Sequence, residues 1–316
     1  MPAITATAPG KIILFGEHAV VYGRPAIAVP VNQVRARATV VATPREAPGT
    51  IRLQALDIGL DTNYGDLPPD HPLAYAIHLV LETIGLKEAP ACVIRVTSSI
   101  PLASGMGSGA AVTVALMRAL AAFLGHPLPD ERVNHLTYDV EKLYHGTPSG
   151  IDNTVVTYAK PVFFTRGEDP QMLTVPQPFT IVIGDTGIPC STAITVGDVR
   201  DALQEQPEEY EPVLDEIGEI GDQARSAIEA GGVGELGQLM VSNQRLLQQL
   251  NVSSPELERL IQAAMGAGAL GAKMSGGGRG GNMIALVEPD ITDKITEALQ
   301  ASGAVRTITT VVDDQP

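Results

Sequence analysis

The sequence predicts a two-domain α+β chain, and three observations predict it. At 316 residues the chain is long enough to bury two hydrophobic cores. The first forty residues are β-branched apolar runs broken by glycine and proline, the pattern of strands joined by tight turns. The second half alternates short strand-like runs with long amphipathic helices, as an α/β sandwich requires.

Taken in order, residues 11–15, 19–22 and 26–29 are apolar runs separated by Gly16-Glu17-His18 and Gly23-Arg24-Pro25, and each reads as a strand. Residues 34–41 alternate polar and apolar side chains, which predicts a half-exposed strand. Residues 43–72 are rich in proline, glycine and aspartate and read as an irregular segment with one strand at 51–56. Helical spacing of Ala76, Ile77, Val80, Leu81 and Ile84 predicts a helix over 73–86. A strand at 92–98, a glycine-rich loop at 101–111 and an apolar helix at 112–124 follow. Asp130 is placed to cap a helix over 131–144 that would bury Val133, Leu136, Val140, Leu143 and Tyr144. Residues 155–158 and 162–165 read as further strands. A strand at 180–184 opens the second domain, giving expected boundaries of 1–178 and 179–316. Helices near 213–230, 235–250 and 255–267 lead to a strand at 273–275, a second glycine loop at 276–281, a strand at 283–287, a helix at 290–302 and a closing strand at 305–312.

Composition excludes several classes of function. A net charge of −15 argues against non-specific binding to nucleic acid or to an anionic membrane surface. The chain has no tryptophan, so stacking platforms for bases are not expected. No apolar run approaches the ~18 residues of a membrane span. The N-terminal residues lack the basic and apolar regions of a secretion signal, and Cys92 and Cys190 give neither metal spacing nor a disulfide framework. A cytoplasmic protein is expected. An anionic ligand would be held by backbone N–H groups, local positive charge and a metal ion.

The loop Pro101-Leu102-Ala103-Ser104-Gly105-Met106-Gly107-Ser108-Gly109-Ala110-Ala111 is the first feature that points to such a ligand. Glycines let backbone approach a ligand closely, and a helix that starts there aims its free N–H groups into the loop. On its own the same pattern serves a tight turn equally well. Neither glycine loop carries the Gly-x-x-x-x-Gly-Lys-[Ser/Thr] spacing of a Walker site or a dinucleotide fingerprint. Glu141 falls at the edge of an apolar helical stripe, where a carboxylate can meet a hard cation or simply face water. Asp152 lies among Ile151, Val155 and Val156, where a carboxylate can take a proton from an alcohol or hold a turn. Lys11 enters an apolar run after Pro9-Gly10, placed to stabilise a forming alkoxide or to face water at a strand edge. Glu17 and His18 break two apolar runs, and His18 can bond a small polar substrate or satisfy a turn.

Four stretches carry a family resemblance. Pro9-Gly10-Lys11-Ile12-Ile13-Leu14-Phe15-Gly16-Glu17-His18-Ala19-Val20-Val21-Tyr22-Gly23 resembles the opening motif of mevalonate kinases. The loop at 101–111 is similar to the phosphate loop of the wider family of galactokinases, homoserine kinases, mevalonate kinases and phosphomevalonate kinases. Residues 141–153, from Glu141 through Pro148-Ser149-Gly150 to Asp152-Asn153, resemble the stretch that carries the metal glutamate and the catalytic aspartate. Lys273-Met274-Ser275-Gly276-Gly277-Gly278-Arg279-Gly280-Gly281 resembles the third motif. The four run the length of the chain in family order.

The resemblance implies ATP- and Mg²⁺-dependent phosphorylation of the 5-hydroxyl of mevalonate. It implies a two-domain small-molecule kinase fold, with an N-terminal domain like ribosomal protein S5 and a ferredoxin-like C-terminal domain. Asp152 would be the base and Lys11 its partner. Pro101, Ala103, Ser104, Gly105, Met106, Gly107, Ser108, Gly109 and Ala110 would cradle the triphosphate. Glu141 and Ser108 would hold Mg²⁺, and Glu17, His18, His145, Thr192 and Gly277 would lie near mevalonate. A homodimer is left open, and neither nucleic acid nor membrane is an expected partner. Phosphoryl transfer asks mainly for positioning and charge neutralisation, which reconciles ATP with a charge of −15.

Three positions depart from the family pattern. Gly109 stands where a second serine is usual, Cys190 where an arginine often precedes the Thr192 region, and Arg279 interrupts the third glycine run, from where it is expected to reach an anion. A phosphomevalonate or homoserine kinase, or a non-catalytic ligand-binding relative, is the rival reading. A galactokinase is disfavoured by the absence of its Gly-Arg-x-Asn opening. A diphosphomevalonate decarboxylase is disfavoured by Lys11 and the Glu141–Asp152 spacing.

Overall fold

The computed structural model describes residues 3–101, 104–145, 148–189 and 192–314, with the side chains of Tyr144 and His145 outside that description. The chain forms two compact units that do not follow its order.

The first unit gathers Met1–Gly10, Val34–Pro101 and Gly107–Ala159. It takes the start of β1 (Ala3–Phe15) and the end of β2 (Ala26–Ala42), together with β3 (Ile51–Ala55), β4 (Leu60–Asn63) and β5 (Cys92–Ser98). Their sheet has the order β4-β3-β5-β2, with β1 also paired to β2. The polar–apolar alternation at 34–41 sets the register. Ala38 and Val40 lie opposite Val96 and Ile94 on the buried face, while Arg37 and Thr39 share the other face with Thr97 and Arg95. The segment expected to be irregular thus supplies a second strand, β4, joined to β3 by one 3-10 turn.

Four helices complete this unit: α1 (Pro72–Ile84), α2 (Ser108–Phe123), α3 (Asp130–His145) and α4 (Ile151–Tyr158). Helix α2 packs on β5 and on α1, α3 and α4, which is why its residues are apolar nearly all round. Residues 155–158, expected as a strand, belong to α4. The β-branched pair Val155-Val156 is buried against α2 and α3, and that packing outweighs strand propensity. On α3 the buried stripe is Val133, Leu136, Thr137, Val140 and Glu141; Leu143, expected to be buried, is exposed near the helix end.

The second unit gathers Lys11–Gln33, Leu102–Met106 and Lys160–Pro316. The start of β2 pairs here with β6 (Val162–Phe164), which pairs in turn with β7 (Gln171–Met172). A separate antiparallel sheet contains β8 (Phe179–Asp185), β9 (Gly271–Ser275), β10 (Asn282–Val287) and β11 (Arg306–Val312), in the order β11-β8-β10-β9. Helices α5 (Thr192–Glu205), α6 (Pro207–Ala230), α7 (Val233–Gln249) and α8 (Pro255–Ala267) join β8 to β9, and α9 (Thr292–Ala301) joins β10 to β11. With its first strand beside its third and fourth, this sheet has the split βαβ plan of a ferredoxin-like domain. Helix α7 lies on β9, α8 on β9 and β10, and α9 on β8 and β11.

Two local expectations fail in this unit. Residues 19–22 form a 3-10 turn instead of a strand, entered at His18 with φ 61° and left at Gly23 with φ 81°. The left-handed residues at each end reverse the chain before β2 can begin. Helix α5 was not expected at all, because it buries little beyond Thr195 and Val199 and so shows no apolar stripe. Among the described residues no helix is long and apolar enough to cross a membrane.

Candidate active site

In the first unit the chemistry gathers on three helices packed on one another. Gly107, in the left-handed region at φ 69°, turns the chain into α2, whose first residue is Ser108. Pro101 and Ala110 flank that turn. A Cβ added at Gly109 would lie 3.4 Å from Glu141 Oε1, so the buried carboxylate of α3 stands beside the first turn of α2. Negative charge is favoured at that helix end, and a phosphate or a cation bridging to one suits it. Asp152 is half-buried in the first turn of α4. Around it Ile151 N donates to Ser149 Oγ at 3.4 Å, Thr154 Oγ1 to the Gly150 carbonyl at 2.7 Å and Asn153 Nδ2 to Asn134 Oδ1 at 2.6 Å. Asp152 therefore stands in a clamped helix start.

The fit to a divalent cation follows from the donor set. Among the described residues no cluster of three or more histidine, cysteine, aspartate or glutamate side chains forms a cage. Glu141 and the Ser108 hydroxyl are hard oxygen donors at the helix end. Mg²⁺ suits such a sparse set, since it keeps waters and binds through one or two carboxylates plus phosphate oxygens.

In the second unit Lys11 is buried, and its backbone N–H donates to the Met106 carbonyl at 3.0 Å, tying β1 to the first glycine loop. Asn282 Nδ2 donates to the Ser104 carbonyl at 2.6 Å, tying the same loop to the end of the second one. Gly105 takes φ 74° beside them. His18 Nε2 is 3.0 Å from the Gly277 carbonyl. A carbonyl only accepts, so Nε2 carries the proton and donates. Burial pushes the imidazole down to about 4, which leaves Nδ1 a bare acceptor at neutral pH, with no partner among the described residues. A Cβ at Gly277 would sit 3.0 Å from Thr192 Oγ1 and 3.2 Å from Thr195 Oγ1, so a side chain there would crowd the start of α5.

Glu17 is fully buried and paired with Lys273, which also donates to the Met274 carbonyl at 2.6 Å. Burial pushes the Glu17 carboxyl up and the Lys273 ammonium down; the charge of each works against the shift of the other, and Lys11 also favours an ionised Glu17. Arg279, expected to reach an anion, pairs with a carboxylate of the chain itself. Its guanidinium pairs with Asp198 of α5 and donates through Nε to the Asn251 carbonyl at 3.1 Å, so it is spent on tying the loop to α5. Ala103, Cys190 and the His145 side chain lie outside the described residues. Lys273 and Asn282 were not singled out from sequence. The one signal was a lysine amid Gly271-Ala272 and Met274, an unusual residue for an otherwise apolar strand.

Comparison with known proteins decides the family. The model described as GHMP kinases N terminal domain matches residues 72–160, and that described as GHMP kinases C terminal matches residues 224–305. A mevalonate kinase of Thermococcus sibiricus is 37% identical over 98% of this chain and 96% of its own length. The chain belongs to the GHMP kinase family. Within that family it is also 37% identical to a mevalonate kinase of Pyrococcus horikoshii, over 98% of the chain and 95% of the relative. Among solved GHMP kinases, the L. major mevalonate kinase in complex with R-mevalonate superposes with a TM-score of 0.84 at 32% identity, covering 98% of this chain and 96% of that one. The Methanococcus jannaschii mevalonate kinase gives a TM-score of 0.86 at 25% identity, covering 99% of each. The two-domain α+β architecture expected from sequence is that of this family, and a GHMP kinase uses ATP.

Proposed function

We propose that this chain transfers the γ-phosphoryl group of ATP to the 5-hydroxyl of mevalonate, yielding 5-phosphomevalonate for isoprenoid synthesis. The observation that carries this reading is the likeness to mevalonate kinases along nearly the whole chain, with Lys11, Glu141 and Asp152 all present in their motifs. The start of β8 at Phe179 and the two family models falling on either side support a sequence boundary at 178/179, whereas Lys11–Gln33, Leu102–Met106 and the segment from Lys160 belong to the second compact unit.

Each residue then has a role. Asp152 accepts the proton of the attacking hydroxyl, which makes the oxygen a better nucleophile. Lys11 offsets the charge that builds on that oxygen. Backbone N–H groups at the start of α2, with Ser104 through Ala110, hold the phosphates in line. Glu141 and Ser108 would hold Mg²⁺. When bound, that cation would supply charge neutralisation for the transferring phosphoryl group. His18 Nδ1 accepts from a substrate hydroxyl, and Glu17, Thr192 and Gly277 stand with it on the mevalonate side.

A coupled ADP-release assay across mevalonate, phosphomevalonate, homoserine and galactose tests the substrate. Mevalonate is expected to turn over fastest; turnover only with another alcohol sinks the assignment. Asp152→Asn is expected to lower kcat by at least about 10²-fold while ATP still binds. A kcat near wild type in that variant removes Asp152 from the base role.

A further inference from the structure

Helix α5 carries Thr192 at its start, yet little apolar packing holds it. Thr195 and Val199 are its buried residues, and Ile194 is 63% exposed. An element with so few buried apolar contacts opens locally at low cost. Besides α6, its support is the second glycine loop. Thr192 and Thr195 close on Gly277, where a Cβ would meet both hydroxyls. Asp198, a turn further along α5, pairs with the Arg279 guanidinium. Arg279 is itself fixed from behind. Its N–H donates to the Val252 carbonyl at 2.7 Å and its Nε to the Asn251 carbonyl at 3.1 Å, both in the turn between α7 and α8. Its φ of 55° lies in the left-handed region, and it stands inside a run of glycines. A side chain at such a φ is disfavoured relative to glycine, so a guanidinium kept there calls for a use.

We propose that Arg279 is a positioning residue that docks the start of α5 on the second glycine loop through Asp198, and so sets how tightly the acceptor alcohol is held beside Thr192 and Gly277. The proposal rests on the placing of those two residues on the acceptor side above. The pair is partly exposed, and exposed ion pairs are weak. A weak pair suffices here, because α5 has little else to hold it. A rival role for Arg279, a direct charge on an anionic acceptor, makes the opposite prediction for loss of Asp198. The freed guanidinium would then bind the acceptor better, whereas an undocked α5 binds it worse.

The test compares wild type, Asp198→Ala, Arg279→Asn and the double variant by steady-state kinetics and by amide hydrogen exchange read with mass spectrometry. Asp198→Ala is expected to raise KM for the acceptor alcohol about threefold to fivefold, with kcat and KM for ATP within about twofold of wild type. Arg279→Asn, which tolerates positive φ and loses the guanidinium, is expected to do the same, and the double variant no more than either single one. Exchange is expected to quicken over 192–205 in Asp198→Ala and to stay as it was over 233–249. Alanine favours helix more than aspartate does, so faster exchange there is not an effect of propensity. An acceptor KM that is unchanged or lowered in Asp198→Ala overturns the proposal. So does unchanged exchange over α5, or a double variant whose rise in KM is the product of the two single ones. KM is measured with whichever alcohol the wild-type chain phosphorylates, and exchange needs no substrate. Absence of mevalonate turnover in the wild type therefore counts against the substrate and leaves the role of Arg279 to be judged separately.

Discussion

His18 holds a buried ring at φ 61° with its Nε2 proton committed to the Gly277 carbonyl. Its folded-state pKa of about 4 lies below the ordinary 6.5, so between those values the unfolded chain binds a proton that the folded chain refuses. Stability therefore rises with pH across that window and is lost as pH falls from about 6.5 to about 4. The full effect is about 3 kcal/mol. Glu17, whose carboxyl is pushed up by burial, acts with the opposite sign, so the histidine is isolated only by difference. His18→Asn keeps a side chain that tolerates positive φ and removes the imidazole. Urea midpoints of wild type and variant are expected to diverge from each other between pH 7 and pH 4, with the wild type losing more. Parallel curves would remove His18 as a source of acid sensitivity.

At the scale of elements, period and burial explain what the sequence disclosed. The strand at 34–41 and the helices α1, α3, α7 and α8 announce themselves because one face is buried and the other is not. Residues 19–22 and 155–158 mislead because a four-residue β-branched run carries no period, and α5 hides because it buries so little. Lys11, Glu141 and Asp152 were legible through their neighbours in motifs. The Lys273–Glu17 pair was not, since it joins positions 256 residues apart and only folding brings them together. Close backbone contact is equally invisible. A Cβ at Gly271 on β9 would lie 2.2 Å from the Gly237 carbonyl oxygen on α7, backbone against backbone. Gly271→Ala is expected to lower unfolding free energy by about 3 kcal/mol through forced separation of α7 from β9. Gly266→Ala on α8 meets nothing within 4 Å and is expected to gain about 0.5 kcal/mol. Denaturant midpoints of the two variants check the contrast, and equal shifts would discount the close packing of α7 on β9.

The whole molecule carries a charge of −15 and must hold a polyphosphate. Its mean field opposes an anion, so binding depends on a few local groups outweighing many distant ones. Distant carboxylates are screened within about 8–10 Å at physiological salt, whereas Glu141, buried beside the start of α2, is not. Its negative charge helps only if it is spent on a cation that the phosphates share. The consequence is specific to place and not to net charge. Glu141→Ala is expected to move the Mg²⁺ titration of turnover to concentrations at least about tenfold higher. Glu131→Gln, which removes one exposed negative charge from the same helix, is expected to leave that titration where it was. An unchanged midpoint in Glu141→Ala takes Glu141 out of metal binding. An equal shift in both variants assigns the effect to overall charge, and only a shift confined to Glu141→Ala is consistent with one buried carboxylate turning an acidic protein into a nucleotide-binding one.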